Sequence, residues 1–352
     1  GGISYASYRL VPLLEEVLAY EPDLIIICTG QNEFLEARSY GDLKQVSAAR
    51  VRARRTLGGL RTFRWVEQLF SSPAPSPKQS LSGEVDALLD YRGGLADYHR
   101  DDEWSAAVRE HYAFNIEALV NRCRKNSVPV LFLLPVSNLV DCPPFKSEHA
   151  DDLSERRLAE YERHWNNSLE EARDLEDRLR EMQAAVAIDP RNAAGQFRLG
   201  KLYEGLGRHQ EAVGCFRRAR DEDICPLRMP GAMYDLAIET LETLDVPFLD
   251  LRKVIEDEDN GRPPSNRWMV DHVHPTIRGH QKIGIKIHEK LEQLRWVTPA
   301  DAGFTERQKK AYRQQMTTLD EVYFATGKAK LEGLRLWTQG RAKKIQEKAT
   351  DK

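Results

Sequence analysis

The chain has 352 residues, enough for a sizeable core and for more than one structural unit. Its 52 Lys and Arg nearly cancel its 55 Asp and Glu, and a net charge of −3 argues against a broad polyanion-binding surface. At 41% hydrophobic and 30% charged, it has the composition of a soluble globular protein rich in exposed helix, and no uninterrupted apolar run reaches the ~18 residues of a membrane-spanning helix.

The opening "GGISYAS" reads as a turn between a strand and a helix, without an initiator Met, a signal peptide or a tag. It is expected to be the start of a fragment cut inside a domain. Residues 8–20 carry apolar side chains at helical spacing until Pro22, and "DLIIICTG" (23–30) is a β-branched run of the kind buried on both faces of a parallel sheet. Helix, strand and a Gly-containing turn make half of a βαβ unit. Residues 35–100 are less legible. They hold a basic stretch, "RVRARRTLGGLRTFR", which reads as a solvated helical face before it reads as an anion site, and a Pro/Ser-rich loop at 71–80.

An amphipathic helix from Ser105 leads into a second buried strand, "PVLFLLPV" (129–136), and then the polar loop "SNLVDCPPFKSEH". Open α/β sheets bind ligands at that edge, which makes Ser137 and Asn138 candidates for substrate contact, against an ordinary structural loop. Residues 151–186 are charged with helical period. About residues 187–222 resemble a tetratricopeptide repeat, with Leu199, Gly200, Tyr203, Gly207, Ala212, Phe216 and Ala219 at its spacing. Only one such repeat is clear. A third strand, "PFLDLR" (247–252), precedes "DHVHPT" (271–276), an amphipathic helix (279–294), and a charged helical tail with Tyr312, Tyr323 and Trp337 expected to be exposed. Cys28, Cys123, Cys142, Cys215 and Cys225 are odd in number and scattered, giving neither a disulfide framework nor a zinc spacing, and Cys28 reads as plain core.

Three stretches carry chemistry. In "DHVHPT", Asp271 three residues before His274 can hold one imidazole nitrogen and stabilise the imidazolium formed when the other takes a proton. With 9 His in the chain, a chance pairing is the bland alternative. In "TGQNEF" (29–34), Gly30 permits a tight turn and Asn32 can aim its amide N–H at a developing oxyanion, or serve merely as a helix cap. The "GGISYAS" turn offers backbone N–H groups of the same use, on Ser4 or Gly2, or is ordinary turn chemistry. His272 is a rival base. Asp271, His272, His274 and nearby His280 are potential metal ligands without any diagnostic spacing.

Taken in order, these stretches resemble the SGNH (GDSL-type) hydrolase superfamily. "GQNE" stands for its Gly-x-Asn-Asp block, with Glu33 where Asp is usual, and "DHVH" for its Asp-x-x-His block; "GGISYAS" stands for the turn that gives a backbone donor. The resemblance covers about 1–35, 110–150 and 240–295, and implies a three-layer α/β/α parallel-sheet fold lacking its first strands. The implied organisation is a first hydrolase-like part (1–150), a helical insertion (151–240), the last hydrolase-like part (241–298) and a helical tail (299–352). No Gly-Asp-Ser or GxSxG sequence occurs, so the nucleophilic Ser is expected upstream of Gly1.

The resemblance implies a serine ester hydrolase or acyl transferase needing no cofactor. His274 is its base, Asp271 the orienting acid, and Asn32 with a backbone N–H the oxyanion hole. Its expected substrates are small-molecule or carbohydrate esters. Such single-repeat insertions look like a bacterial subgroup, exported or membrane-anchored through the missing N-terminus. The 352 residues alone are then expected to be inactive and poorly stable. The alternative is a degenerate scaffold that binds a protein partner through its helical repeat.

Overall fold

A computed structural model describes residues 4–35, 87, 89 and 94–338. The basic stretch and the Pro/Ser-rich loop lie outside the described residues, as does Gly2. The described chain is mixed α/β and mostly helical: eleven α-helices surround one small sheet. Three strands, β1 (Ile25–Cys28), β2 (Val130–Leu134) and β3 (Phe248–Asp250), lie in the order β1-β2-β3. Both pairings are parallel, with Ile25 opposite Val130 and Phe132 opposite Phe248.

The alternation of β2 explains the layers. Val130, Phe132 and Leu134 share one core with α1 (Ser7–Leu18), α2 (Asp102–Lys125) and α7 (Gly231–Thr243), through Leu14, Ile116 and Tyr234 among others. Leu131 and Leu133 point the other way, into a core with Val254 of α8 (Leu251–Glu258) and Ile283 of α9 (Ile277–Gln293). Successive side chains on a strand alternate faces, so a fully apolar strand is one covered on both. α2 is long for local reasons as well: Asp101 accepts from Trp104 N–H at 2.7 Å, acids fill the first turn, and Arg122, Arg124 and Lys125 sit where the helix dipole favours cations.

Between β2 and β3 the chain builds a helical body of α3 (Glu155–Leu169), α4 (Leu175–Ile188), α5 (Ala193–Gly205) and α6 (His209–Asp221). Each helix packs on the next, and Gly200 lets α5 approach Phe216 so closely that a Cβ there would meet its ring at 2.7 Å. Their shared core includes Leu179, Met182, Leu199, Tyr203 and Phe216. It also includes Leu139 and Val140, which belong to the loop after β2. The tail forms α10 (Phe304–Met316) and α11 (Glu321–Thr338).

Four expectations need correction. β1 is not covered on both faces: on one of them Ile26 is 42% exposed. Cys28, on the same open side, is exposed rather than core. The third strand ends at Asp250, because the Asp250 carboxylate accepts from Arg252 N–H at 3.0 Å and caps a helix that begins at Leu251. In the tail Tyr323 is exposed, but Tyr312 is half-buried and Trp337 packs against a cluster around Leu35, Tyr98 and Leu227.

Candidate functional site

The loops at the C-terminal ends of the strands carry the site. After α8, Trp268 is fully buried and anchors a tight loop whose ends meet through the bridge of Met269 with Pro275. Val270 N–H donates to His274 O at 2.8 Å, and Thr276 N–H to Trp268 O at 2.8 Å. Thr276 then caps α9 by accepting from Gly279 N–H at 3.1 Å.

Inside this loop the Asp271 carboxylate is fully used. Its Oδ1 accepts from Val273 N–H and His274 N–H, both at 2.8 Å, which is the Asx-turn geometry short acidic side chains favour. Its Oδ2 faces His274 Nδ1 at 2.7 Å. Burial opposes the Asp271 charge, yet the His274 ring, the two backbone N–H groups and His272 outweigh it and hold the carboxyl down at about 2. The hydrogen bond from Asp271 raises the pKa of His274 in return, against the opposing pull of burial. With Nδ1 committed, Nε2 is the ring nitrogen left to exchange protons. The His274 side chain is 62% exposed and Asp271 only 7%, an ordered arrangement of a buried orienting acid and an accessible imidazole.

His272 is a different kind of residue. Burial pushes it down to about 4, so it is neutral at pH 7, and its Nδ1 stands 3.8 Å from Asp271 Oδ1. Its ring meets Phe145 edge-on at 5.2 Å and lies perpendicular to His274 at 6.4 Å. It packs the loop and is not placed as a rival base. Among the described residues no three His, Cys, Asp or Glu side chains gather as a metal-binding group.

The "TGQNEF" turn follows β1. Gly30 has φ +125, and an added Cβ would meet Met229 Sδ at 2.7 Å and Tyr112 Oη at 2.9 Å, so only glycine fits. Asn32 is not a helix cap. Its Nδ2 donates to Tyr5 O at 3.3 Å, which brings this turn onto the "SYA" part of the opening turn. Ser4, in that turn, holds φ +61. Thus Asn32 and the Ser4 backbone, separated by almost thirty residues, lie together. Gln31 donates to Val136 O at 3.0 Å and accepts from Met229 N–H at 2.8 Å, joining this turn to the loop after β2.

That second loop reaches the Asp271–His274 loop directly. Asn138 N–H donates to His272 O at 2.9 Å, Leu139 N–H to Pro264 O at 2.9 Å, and Asn138 Nδ2 to Asn266 Oδ1 at 2.8 Å. Ser137 and Asn138 are buried, 3% and 1% exposed, and Asn138 spends its side chain fastening the loop. Sequence reasoning missed the groups that hold this loop from behind. Arg228, in "ICPLRMP", is 2% exposed, donates to Asn138 O and Cys142 O at 2.9 and 2.7 Å, and stands 5.7 Å over the Phe145 ring. Asp223 accepts from Phe145 N–H at 2.9 Å and Lys146 N–H at 3.1 Å. The one signal for them was a lone arginine in an apolar, proline-flanked run.

Comparison of the chain with protein-family models, with curated proteins and with solved structures gives no match in any of the three.

Proposed function

We propose that this chain carries the acid–base and oxyanion parts of a serine ester hydrolase, or acyl transferase, of SGNH type. The observation that carries the proposal is the Asp271–His274 pair: a 2.7 Å contact, a buried carboxylate locked by two backbone N–H groups, and an accessible imidazole. In the proposed reaction a serine hydroxyl attacks the acyl carbonyl while His274 Nε2 takes its proton. Asp271 holds Nδ1–H and stabilises the imidazolium. Charge on the carbonyl oxygen is met by the second Asn32 amide N–H and the Ser4 backbone N–H. His274 returns the proton to the leaving alkoxide, and water or an acceptor alcohol takes the acyl group from the serine.

In this proposal the serine lies upstream of Gly1, since no Gly-Asp-Ser or GxSxG sequence occurs in the 352 residues. In this reading additional strands would pair at the edge of β1 away from β2, which carries no partner strand among the described residues. Helices α5 and α6, which hold the tetratricopeptide-like stretch, offer a surface for a protein partner in this reading. The close packing of these two helices, with Gly200 against Phe216, supports that reading. The test is hydrolysis of p-nitrophenyl acetate by the protein expressed from its whole gene. His274→Ala should abolish turnover, and an unchanged rate would overturn the proposal.

A further inference from the structure

The oxyanion side of the proposed site rests on a buried carboxylate. Glu33 follows Asn32 directly and is 0% exposed. Its Oε1 accepts from Ser7 N–H at 2.8 Å and from the Thr29 hydroxyl at 3.4 Å, and its Oε2 accepts from the Ser7 hydroxyl at 2.8 Å. Ser7 begins α1, and the preceding Ala6 has no side chain able to cap it. A carboxylate from the other turn does so instead, where the helix dipole favours negative charge. Asn115 of α2 donates to the Ser7 hydroxyl oxygen at 3.0 Å, which directs the hydroxyl proton toward Glu33.

Glu33 therefore ties together the two turns that carry the two oxyanion donors. One of them, around Ser4, holds φ +61, a conformation a serine keeps only when its surroundings impose it. Asn32 spans the same two turns through its bond to Tyr5 O. We infer that Glu33 is a positioning residue of the oxyanion hole, pinning the opening turn against the 29–33 turn so that Asn32 and the Ser4 N–H keep a fixed separation. The inference rests on the hydrolase proposal above. It also gives the Glu at this position a physical use: aspartate, one methylene shorter, cannot hold both the N–H and the hydroxyl of Ser7 from the same backbone.

A helix cap without a catalytic consequence would affect stability alone, so the test separates the two. In the protein from its whole gene, with p-nitrophenyl acetate as probe, Glu33→Asp should lower kcat about 10- to 100-fold, the cost of a misplaced catalytic donor, with KM within about twofold. Amide exchange at Ser7 should accelerate. The double variant Asn32→Ala/Glu33→Asp should be slowed by much less than the product of the two single effects, because groups that act as one unit do not add. If Glu33→Asp does not fold, the isosteric Glu33→Gln carries the same cycle. Multiplying effects in the double variant, or normal kcat with faster Ser7 exchange, overturns the positioning role while leaving the hydrolase intact. Hydrolysis indifferent to His274→Ala overturns the hydrolase proposal and this role with it.

Discussion

Replacing Asp271 by Asn removes the charge from the Asp271–His274 pair and leaves its shape. The partners of the Asp271 carboxyl hold it down at about 2 in the folded chain, a stabilisation on the order of 2 kcal/mol at about 1.36 kcal/mol per unit. Asn keeps an oxygen for the two backbone N–H groups but loses the charged partner of the ring, so the expected destabilisation is about 2 kcal/mol, within the range for hydrogen bonds to charged groups. Its pH dependence has a definite sign. A depressed carboxyl contributes fully above its unfolded value, and the contribution is lost as pH falls toward about 2. A raised histidine contributes fully below its unfolded value, and the contribution is lost as pH rises through the folded one. The difference between wild type and Asp271→Asn should thus be largest between about pH 4 and 6.5 and narrow in alkali. Urea unfolding at pH 5.5 and pH 9 measures this, and the NMR shift of the His274 ring followed against pH reads its midpoint, which should fall in the variant. An unmoved midpoint with equal stability would refute the pairing.

Asn32→Ala should lower turnover of the whole-gene protein about 10²–10³-fold, with an unfolding midpoint close to wild type; normal turnover would remove Asn32 from the site. Gly30→Ala forces a side chain into φ +125 and against Met229 and Tyr112, and should cost about 2–4 kcal/mol in urea unfolding. Arg228→Met leaves the Asp223 carboxylate buried without its guanidinium and should cost about 3–5 kcal/mol. Much of that loss should return in Arg228→Met/Asp223→Asn, and a double variant as unstable as the sum of the two singles would count against the pairing. If the nucleophile of the proposed hydrolase lies outside these 352 residues, they should hydrolyse p-nitrophenyl acetate no faster than their His274→Ala variant, since removing such a serine costs roughly six orders of magnitude.

Local pattern made the elements legible. Five consecutive apolar residues in β2 announce a strand covered on both faces, and the apolar spacing before Pro22 announces α1. Asp271 and His274 were legible for the same reason: three residues apart, their meeting needs only a turn. What was not legible depends on contacts between distant segments. Whether Cys28 is core or edge turns on what lies beside β1, which its own sequence does not encode. Arg228 meets Asn138 across 90 residues, and Glu33 meets Ser7 across 26. Ser137 and Asn138 lie just after β2, where the sequence puts them, but their burial follows from neighbours contributed by 264–272 and 223–228.

Leu139 and Val140 give the helical body a standing that its position between β2 and β3 conceals. Their side chains complete the hydrophobic core of α3–α6, while their N–H groups hold Pro264 in the loop that leads to His274. A segment that lies between two strands in the chain is here a foundation in space. Excising residues 155–221 would strand two large apolar side chains in water beside the dyad. The two bodies should therefore melt together, in a single cooperative transition, and neither should be transplantable without the other.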